Sequence, residues 1–80
     1  MSVASLEIAF GTVLKGKRAE AKLSQEALAL QCGLDRTYIS LLERGLRQPS
    51  LRTLFLICEA LRIRPSTLVS EVEKAVIACR

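Results

Sequence analysis

The stretch of sequence that decides the fold runs from Leu23 to Ser50 and reads LSQEALALQCGLDRTYISLLERGLRQPS. It contains two short helical patterns, which open at Ser24 and at Asp35, residues whose side chains accept hydrogen bonds from the free N–H groups of a first helical turn. Gly33 lies between the two patterns and Gly45 follows the second, where glycine adopts the left-handed conformation without a Cβ penalty. Two helices joined by three or four residues cross steeply, so the stretch predicts a helix-turn-helix.

The second of these helices, predicted from Arg36 to Arg44, has two chemically different faces. Ile39, Leu42 and Glu43 recur at i, i+3 and i+4 and should face inward. The opposite face is polar and carries Arg36, Thr37, Ser40 and Arg44. Arginine bonds bidentately to guanine O6 and N7, and threonine contacts a base edge or a thymine methyl. The face is therefore suited to reading nucleic acid, and the alternative is an ordinary solvated helix face.

The excess positive charge of the chain is concentrated in one segment. Acidic and basic side chains cancel in residues 1–35 and again in residues 65–80, so the whole net charge of +4 lies in residues 36–64. All the cations of that segment are arginines, which suit bidentate contact with phosphates and base edges. This focused charge favours the nucleic-acid interpretation.

The rest of the chain predicts a small all-α domain. Eighty residues, 50% of them hydrophobic and 4% aromatic, indicate one domain spanning residues 1–80 with a core of aliphatic side chains. Further helical patterns cover Leu6 to Ala21, the cap Ser50 to Leu61, and Pro65 to about Ala78. Gly11 and Gly16 interrupt the first of them, which suggests either close packing or a frayed first turn. We therefore expect an all-α five-helix bundle.

Several functional classes lack support in the sequence. No run of about eighteen apolar residues predicts a membrane span, and no basic segment followed by an apolar run predicts an export signal, so we expect a cytoplasmic protein. The chain has no histidine, and Cys32, Cys58 and Cys79 lack CxxC spacing. We therefore expect no metal site, no cofactor and no catalytic residues. Cys58 should be a core residue, and Cys79, near the end, should be exposed.

The run from Leu23 to Leu54 resembles the phage-repressor and Cro-like helix-turn-helix family of bacterial transcriptional regulators, and the matching core extends from about Phe10 to Leu68. The matching positions are Ser24-Gln25-Glu26, Leu28-Ala29, Gly33, Tyr38-Ile39-Ser40, Glu43-Arg44-Gly45, Pro49-Ser50-Leu51 and Leu54. The string from Asp35 to Ser40, in so short a chain, is particularly similar to the controller proteins of restriction-modification systems. The resemblance implies a lambda-repressor-like fold, with the helix-turn-helix in helices 2 and 3 over about residues 24–45.

The resemblance also implies roles for individual side chains. Arg36 and Thr37 match base-reading positions, and Leu41 would touch a thymine methyl. DNA phosphates would be contacted by Gln25, Tyr38, Ser40, Arg44 and Arg47. Gln25 would in addition orient side chains of the recognition helix.

Two pairs of residues bear on the scaffold. By the same resemblance, Arg18 and Glu43 correspond to a structural ion pair between the first and third helices. Lys22 and Arg62 stand where the family often has a helix-ending glycine. Either these side chains are strained in a left-handed cap or the two helices end differently.

A homodimer is predicted because one recognition helix makes few phosphate contacts and the last two helices carry more apolar surface than one small core consumes. In the fourth helix we expect an inward stripe of Leu51, Leu54, Phe55, Cys58 and Leu61. Within a dimerising region of about residues 51–80, the expected interface residues are Leu56, Leu68, Val72 and Val76. The resemblance implies a symmetric dimer with recognition helices about 34 Å apart. The alternative is a last helix packed only on its own domain.

Together these features predict a transcriptional regulator that binds an inverted-repeat operator in double-stranded DNA, with RNA polymerase as a further candidate partner. Two alternatives stay open: a phage-type repressor or antitoxin acting on its own promoter, and a protein-binding adaptor with the same fold. The arginines of the outer face argue against the adaptor.

Overall fold

The computed structural model describes residues 6–78 and, over this range, consists of helices and connecting turns without a β-strand. The helices are α1 (Leu6–Glu20), α2 (Gln25–Cys32), α3 (Arg36–Glu43), α4 (Leu51–Leu61) and α5 (Pro65–Ala78). The predicted all-α fold with the helix-turn-helix in α2 and α3 is confirmed. Helices α1 and α3 each end one residue earlier than expected, at Glu20 and Glu43.

Helices α2, α3 and α4 each begin at a side-chain cap. The side-chain oxygens of Ser24, Asp35 and Ser50 accept hydrogen bonds of 3.0 to 3.2 Å from backbone N–H groups two or three residues later. Each cap satisfies a donor that the first helical turn leaves free. The predicted N-caps are confirmed.

Helices α1 to α4 share one kind of C-terminus. Left-handed φ values of 60°, 69°, 75° and 58° occur at Lys22, Gly33, Gly45 and Arg62, respectively. The next N–H after each of them returns to a carbonyl of the last helical turn, at 2.9 to 3.2 Å, as in a Schellman motif. The two cations therefore adopt the left-handed conformation despite their Cβ atoms. Their charge lies at a helix C-terminus, where the helix dipole favours it and offsets part of the strain.

Gly11 allows α1 to lie directly against the end of α3. A Cβ at this position would lie 2.5 Å from the carbonyl oxygens of Leu42 and Glu43. Gly16 is different, because a Cβ added there would meet nothing within 4 Å. Of the two explanations for these glycines, close packing therefore applies to Gly11 alone.

The core receives side chains from every helix. Its fully buried large residues are Leu14, Leu28, Ile39, Leu42, Ile57, Leu68 and Val76, together with Cys58. Ile39, Leu42 and Cys58 were predicted at core positions, and they are confirmed. The expectation for Cys79 lies outside the described residues. Within residues 6–78, no helix is long and apolar enough to cross a membrane.

The predicted inward stripe of α4 is wrong at two positions. Leu51 and Phe55 are 71% and 54% exposed, whereas Ile57, Cys58 and Leu61 are buried. Because α4 is apolar around most of its circumference, its sequence fits more than one helical stripe. Packing against α2 and α5 selects the stripe on which Ile57 and Cys58 lie, and this leaves Leu51 and Phe55 at the surface.

The predicted dimer interface also needs correction. Leu68, Val72 and Val76 are only 0%, 6% and 2% exposed, because α5 packs along α1 within the same chain. An ion pair of 2.7 Å between Lys17 Nζ and Glu71 Oε2 joins the same two helices. These three apolar side chains belong to the core of the protomer and are not available to a second copy. Of the expected interface residues, only Leu56 is partly exposed.

Candidate nucleic-acid interface

Helix α3 presents the predicted polar face to solvent. Arg36, Thr37 and Arg44 are exposed, and Ser40 and Leu41 are half-buried. Thr37, Ser40, Leu41 and Arg44 follow one another at i, i+3, i+4 and i+7, so they lie along a single stripe, with Arg36 at its N-terminal end. The structure therefore brings the predicted base-reading residues together on one accessible surface of about two helical turns.

An ion pair between Arg18 and Glu43, on the side of α3 away from its exposed polar face, holds this helix in position. Arg18 Nε donates to Glu43 Oε2 at 2.6 Å, and Arg18 Nη2 donates to Glu43 Oε1 at 3.1 Å. The remaining nitrogen, Nη1, donates to the backbone oxygen of Leu23 at 2.8 Å. The side chains of Arg18 and Glu43 are 15% and 3% exposed. This bidentate pair joins α1 to α3 and to the segment that enters α2.

The carboxylate of Glu43 is stabilised in its charged form. Burial is the largest single influence and raises the pKa of Glu43. The hydrogen bonds from Arg18 and Gln25 and the positive charge of Arg18 lower this pKa, and together they outweigh the effect of burial. The net pKa of Glu43 is therefore below its ordinary value. The pKa of Arg18 is raised, chiefly by its hydrogen bond to Glu43, so both partners favour the ionised pair.

Gln25, the first residue of α2, connects this pair to the exposed face of α3. Its Nε2 donates to Glu43 Oε1 at 3.0 Å, and its Oε1 accepts a hydrogen bond from Arg36 Nη1 at 3.2 Å. An ionised carboxylate only accepts hydrogen bonds, so Glu43 fixes which end of the amide faces it. The oxygen of Gln25 is thereby directed toward Arg36. One N–H of the amide is left for a further acceptor.

Arg47, beyond the end of α3, is placed by an aromatic ring. Its guanidinium carbon lies 5.9 Å from the centre of the Tyr38 ring, a cation–π arrangement worth about 0.5–1 kcal/mol at an exposed site. Tyr38 is itself packed against the core. The ring therefore holds an exposed cation beside the polar face of α3.

The arginines of residues 36–64 do not all lie on this face. Arg36, Arg44 and Arg47 are on α3 or follow it directly. Arg52 lies on α4, Arg62 forms the left-handed end of α4, and Arg64 precedes α5. Only three of the six arginines that carry the excess charge therefore accompany α3.

Comparison with known proteins identifies the fold and its group. The helix-turn-helix family matches residues 14–68, a segment that includes the whole of α2, α3 and α4. The chain belongs to the Cro/C1-type helix-turn-helix family. As a helix-turn-helix regulator it is not an enzyme.

Three relatives of this helix-turn-helix chain are restriction-modification controllers. The control protein C.MunI of a Mycoplasma species is 47% identical over 70 residues, which cover 86% of this chain and 95% of the relative. The crystal structure of the controller C.AhdI from Aeromonas hydrophila matches with a TM-score of 0.76 and 42% identity, over 78% of this chain and 94% of that one. The controller C.Esp1396I, solved as a tetramer with its natural 35-base-pair operator, matches with a TM-score of 0.81 and 32% identity, over 96% and 99% of the two chains.

Proposed function

We propose that this protein is a transcriptional regulator of the restriction-modification controller type, which acts in the cytoplasm as a homodimer on an inverted-repeat operator. The observation that carries the proposal is the exposed polar face of α3, where Arg36, Thr37 and Arg44 lie on a helix anchored from behind by Arg18 and Glu43. Similarity to controllers over nearly the full length of the relatives supports the same conclusion.

On this proposal, the residues of the face divide into those that contact bases and those that contact phosphates. Arg36 can form a bidentate contact with guanine O6 and N7. Thr37 offers a hydroxyl and Leu41 an apolar contact for neighbouring base edges. Phosphates are contacted by Gln25, Tyr38, Ser40, Arg44 and Arg47. These contacts position α3 in the major groove and do not depend on the base sequence.

A symmetric dimer follows from the size of this surface. One helix of eight residues reads only a few base pairs, whereas two copies related by a twofold axis read two half-sites about one helical turn apart. The apolar surface of α4 around Leu51, Phe55 and Leu56 is the proposed contact between copies, in place of the buried residues of α5. A dimer bound at a promoter lies within reach of RNA polymerase, which we propose as a further partner.

The proposal is tested by gel shift against the DNA immediately upstream of the protein's own gene. We expect a complex that survives an excess of a duplex of the same length and composition but scrambled sequence. Equal competition by the natural and the scrambled duplex would contradict operator recognition. Failure to bind either duplex would instead favour a protein-binding adaptor with the same fold.

A further inference from the structure

The exposed face of α4 is an apolar surface bordered by charges. Leu51 and Phe55 are largely exposed, and together with Leu56, Ile63 and Pro65 they line an open groove. Arg52 and Glu59 line the same groove. Single exposed apolar residues are ordinary, but a continuous apolar groove with charged edges is typical of a protein contact surface.

The charges of this face are arranged symmetrically about its apolar centre. Arg52, Phe55, Leu56 and Glu59 stand at i, i+3, i+4 and i+7 and therefore form one stripe along α4. Arg52 precedes Phe55 by the same spacing by which Glu59 follows Leu56. Within residues 6–78, neither Arg52 nor Glu59 takes part in an ion pair. The stripe thus has a positive end, an apolar middle and a negative end.

Such a stripe is complementary to a second copy of itself in one orientation. A twofold axis between Phe55 and Leu56, perpendicular to the helix, places two copies of α4 antiparallel, so that the positive end of each stripe meets the negative end of the other. Parallel packing would instead bring like charges together at both ends. Because twofold contacts use the same patch on both subunits, this self-complementarity points to a second copy of the chain as the partner.

We propose that α4 packs antiparallel against α4 of a second copy, and that two ion pairs, each between Arg52 and Glu59 of the partner subunit, set the register of the contact. Phe55 then packs beside Leu56 of the partner subunit at the centre. This inference rests on the proposed homodimer and specifies its geometry. The charged ends fix orientation and spacing, on which the separation of the two recognition helices depends.

Charge reversal measured by analytical ultracentrifugation tests the geometry. Arg52→Glu and Glu59→Arg should each raise the dimer dissociation constant by about tenfold, because each creates two like-charge contacts. The double variant R52E/E59R should return to within about threefold of the wild type. An equimolar mixture of the two single variants should form a heterodimer tighter than either homodimer. Lys74→Glu makes the same charge change as Arg52→Glu at an exposed position of α5 outside the groove; it is the control and should leave the constant unchanged.

Three results would overturn the inference, and they differ in what they imply for the proposed function. A wild-type dimer that is insensitive to both reversals would refute this register but leave the homodimeric regulator intact. Single variants that weaken the dimer without recovery in the double variant would place Arg52 and Glu59 opposite other groups. A wild-type protein that stays monomeric at high micromolar concentration, free and bound to its upstream DNA, would remove the homodimer itself.

Discussion

The guanidinium of Arg36 donates a hydrogen bond of 3.2 Å to the side-chain oxygen of Gln25. The same amide donates to Glu43, whose carboxylate is held by Arg18. The proposed base-reading residue is therefore connected to the buried ion pair through a single neutral amide. A side chain held in advance loses less conformational freedom when it binds, so this connection should favour both affinity and selectivity.

Removal of the Gln25 side chain should reduce selectivity for the operator, whereas the loss of a phosphate contact alone would weaken binding to every duplex equally. We expect Gln25→Ala to reduce discrimination at the base pair read by Arg36 by about 1 kcal/mol, the typical worth of one hydrogen bond. In an Arg36→Ala background the same substitution should have almost no further effect on discrimination. Binding to operators substituted at each position measures this, with Gln31→Ala, an exposed glutamine of α2, as the control. Equal losses for every duplex would limit Gln25 to a phosphate contact.

Arg36 and Arg44 should respond differently to truncation. Arg36→Ala should cost about 1–3 kcal/mol on the operator and relax preference at one position of each half-site. Arg44→Ala should weaken binding to operator and scrambled DNA alike and reduce the salt dependence by about one unit for each phosphate that is no longer neutralised. Affinity titrations between about 50 and 200 mM salt separate the two effects, because phosphate contacts respond strongly to salt over this range. If Arg36→Ala retained full selectivity, another residue would be the reader.

The Arg18–Glu43 pair should contribute stability that depends on pH. Because the pKa of Glu43 is lower in the folded protein, this contribution is complete above the unfolded-state pKa and is lost as the pH falls through the folded-state pKa. Glu43→Gln should cost about 3–5 kcal/mol at neutral pH, since it leaves Arg18 largely buried without its counter-charge. Urea unfolding measured from pH 7 to pH 3 should show the difference between wild type and variant shrinking below about pH 4.3, the ordinary glutamate value. A constant difference across this range would argue against a charged pair.

The two glycines of α1 provide a matched test of packing. Gly11→Ala should destabilise the fold by about 1–3 kcal/mol, because the new methyl group collides with backbone oxygens at the end of α3. Gly16→Ala should stabilise it by about 0.5–1 kcal/mol, because the position is helical and open and alanine is the better helix former. Thermal unfolding followed by circular dichroism measures both. Equal effects at the two positions would show that α1 does not approach α3 as described.

The sequence predicted the helix-turn-helix well because its signals are local. The caps Ser24, Asp35 and Ser50 and the turn at Gly33 depend only on neighbouring backbone groups, so their roles could be inferred from residue type and spacing. The inward face of α4 could not be inferred in this way. Leu51 and Phe55 are as apolar as the residues that are buried, and only packing against α2 and α5 decides between the faces.

The candidate site was predictable in its composition and in part of its connections. Family resemblance placed Arg18 and Glu43 in one pair and assigned Gln25 an orienting role. The direction of the Gln25 amide depends on an ionised carboxylate 18 residues away in the chain, which no local pattern reveals. The proposed contact between Arg52 and Glu59 of the partner subunit could not be inferred from net charge alone. Their spacing around Phe55 and Leu56 was the available signal.

Selection from a pool of random DNA duplexes tests whether two copies of α3 read an inverted repeat, the property on which the proposed function depends. Rounds of binding to the purified full-length protein, followed by sequencing, should enrich inverted repeats whose half-sites are centred about 10 base pairs apart. The same selection with Arg36→Ala should show no preference at one position of each half-site that the wild type selects. A pool that stays random, or that enriches a site without twofold symmetry, would refute recognition by a symmetric pair of α3 helices.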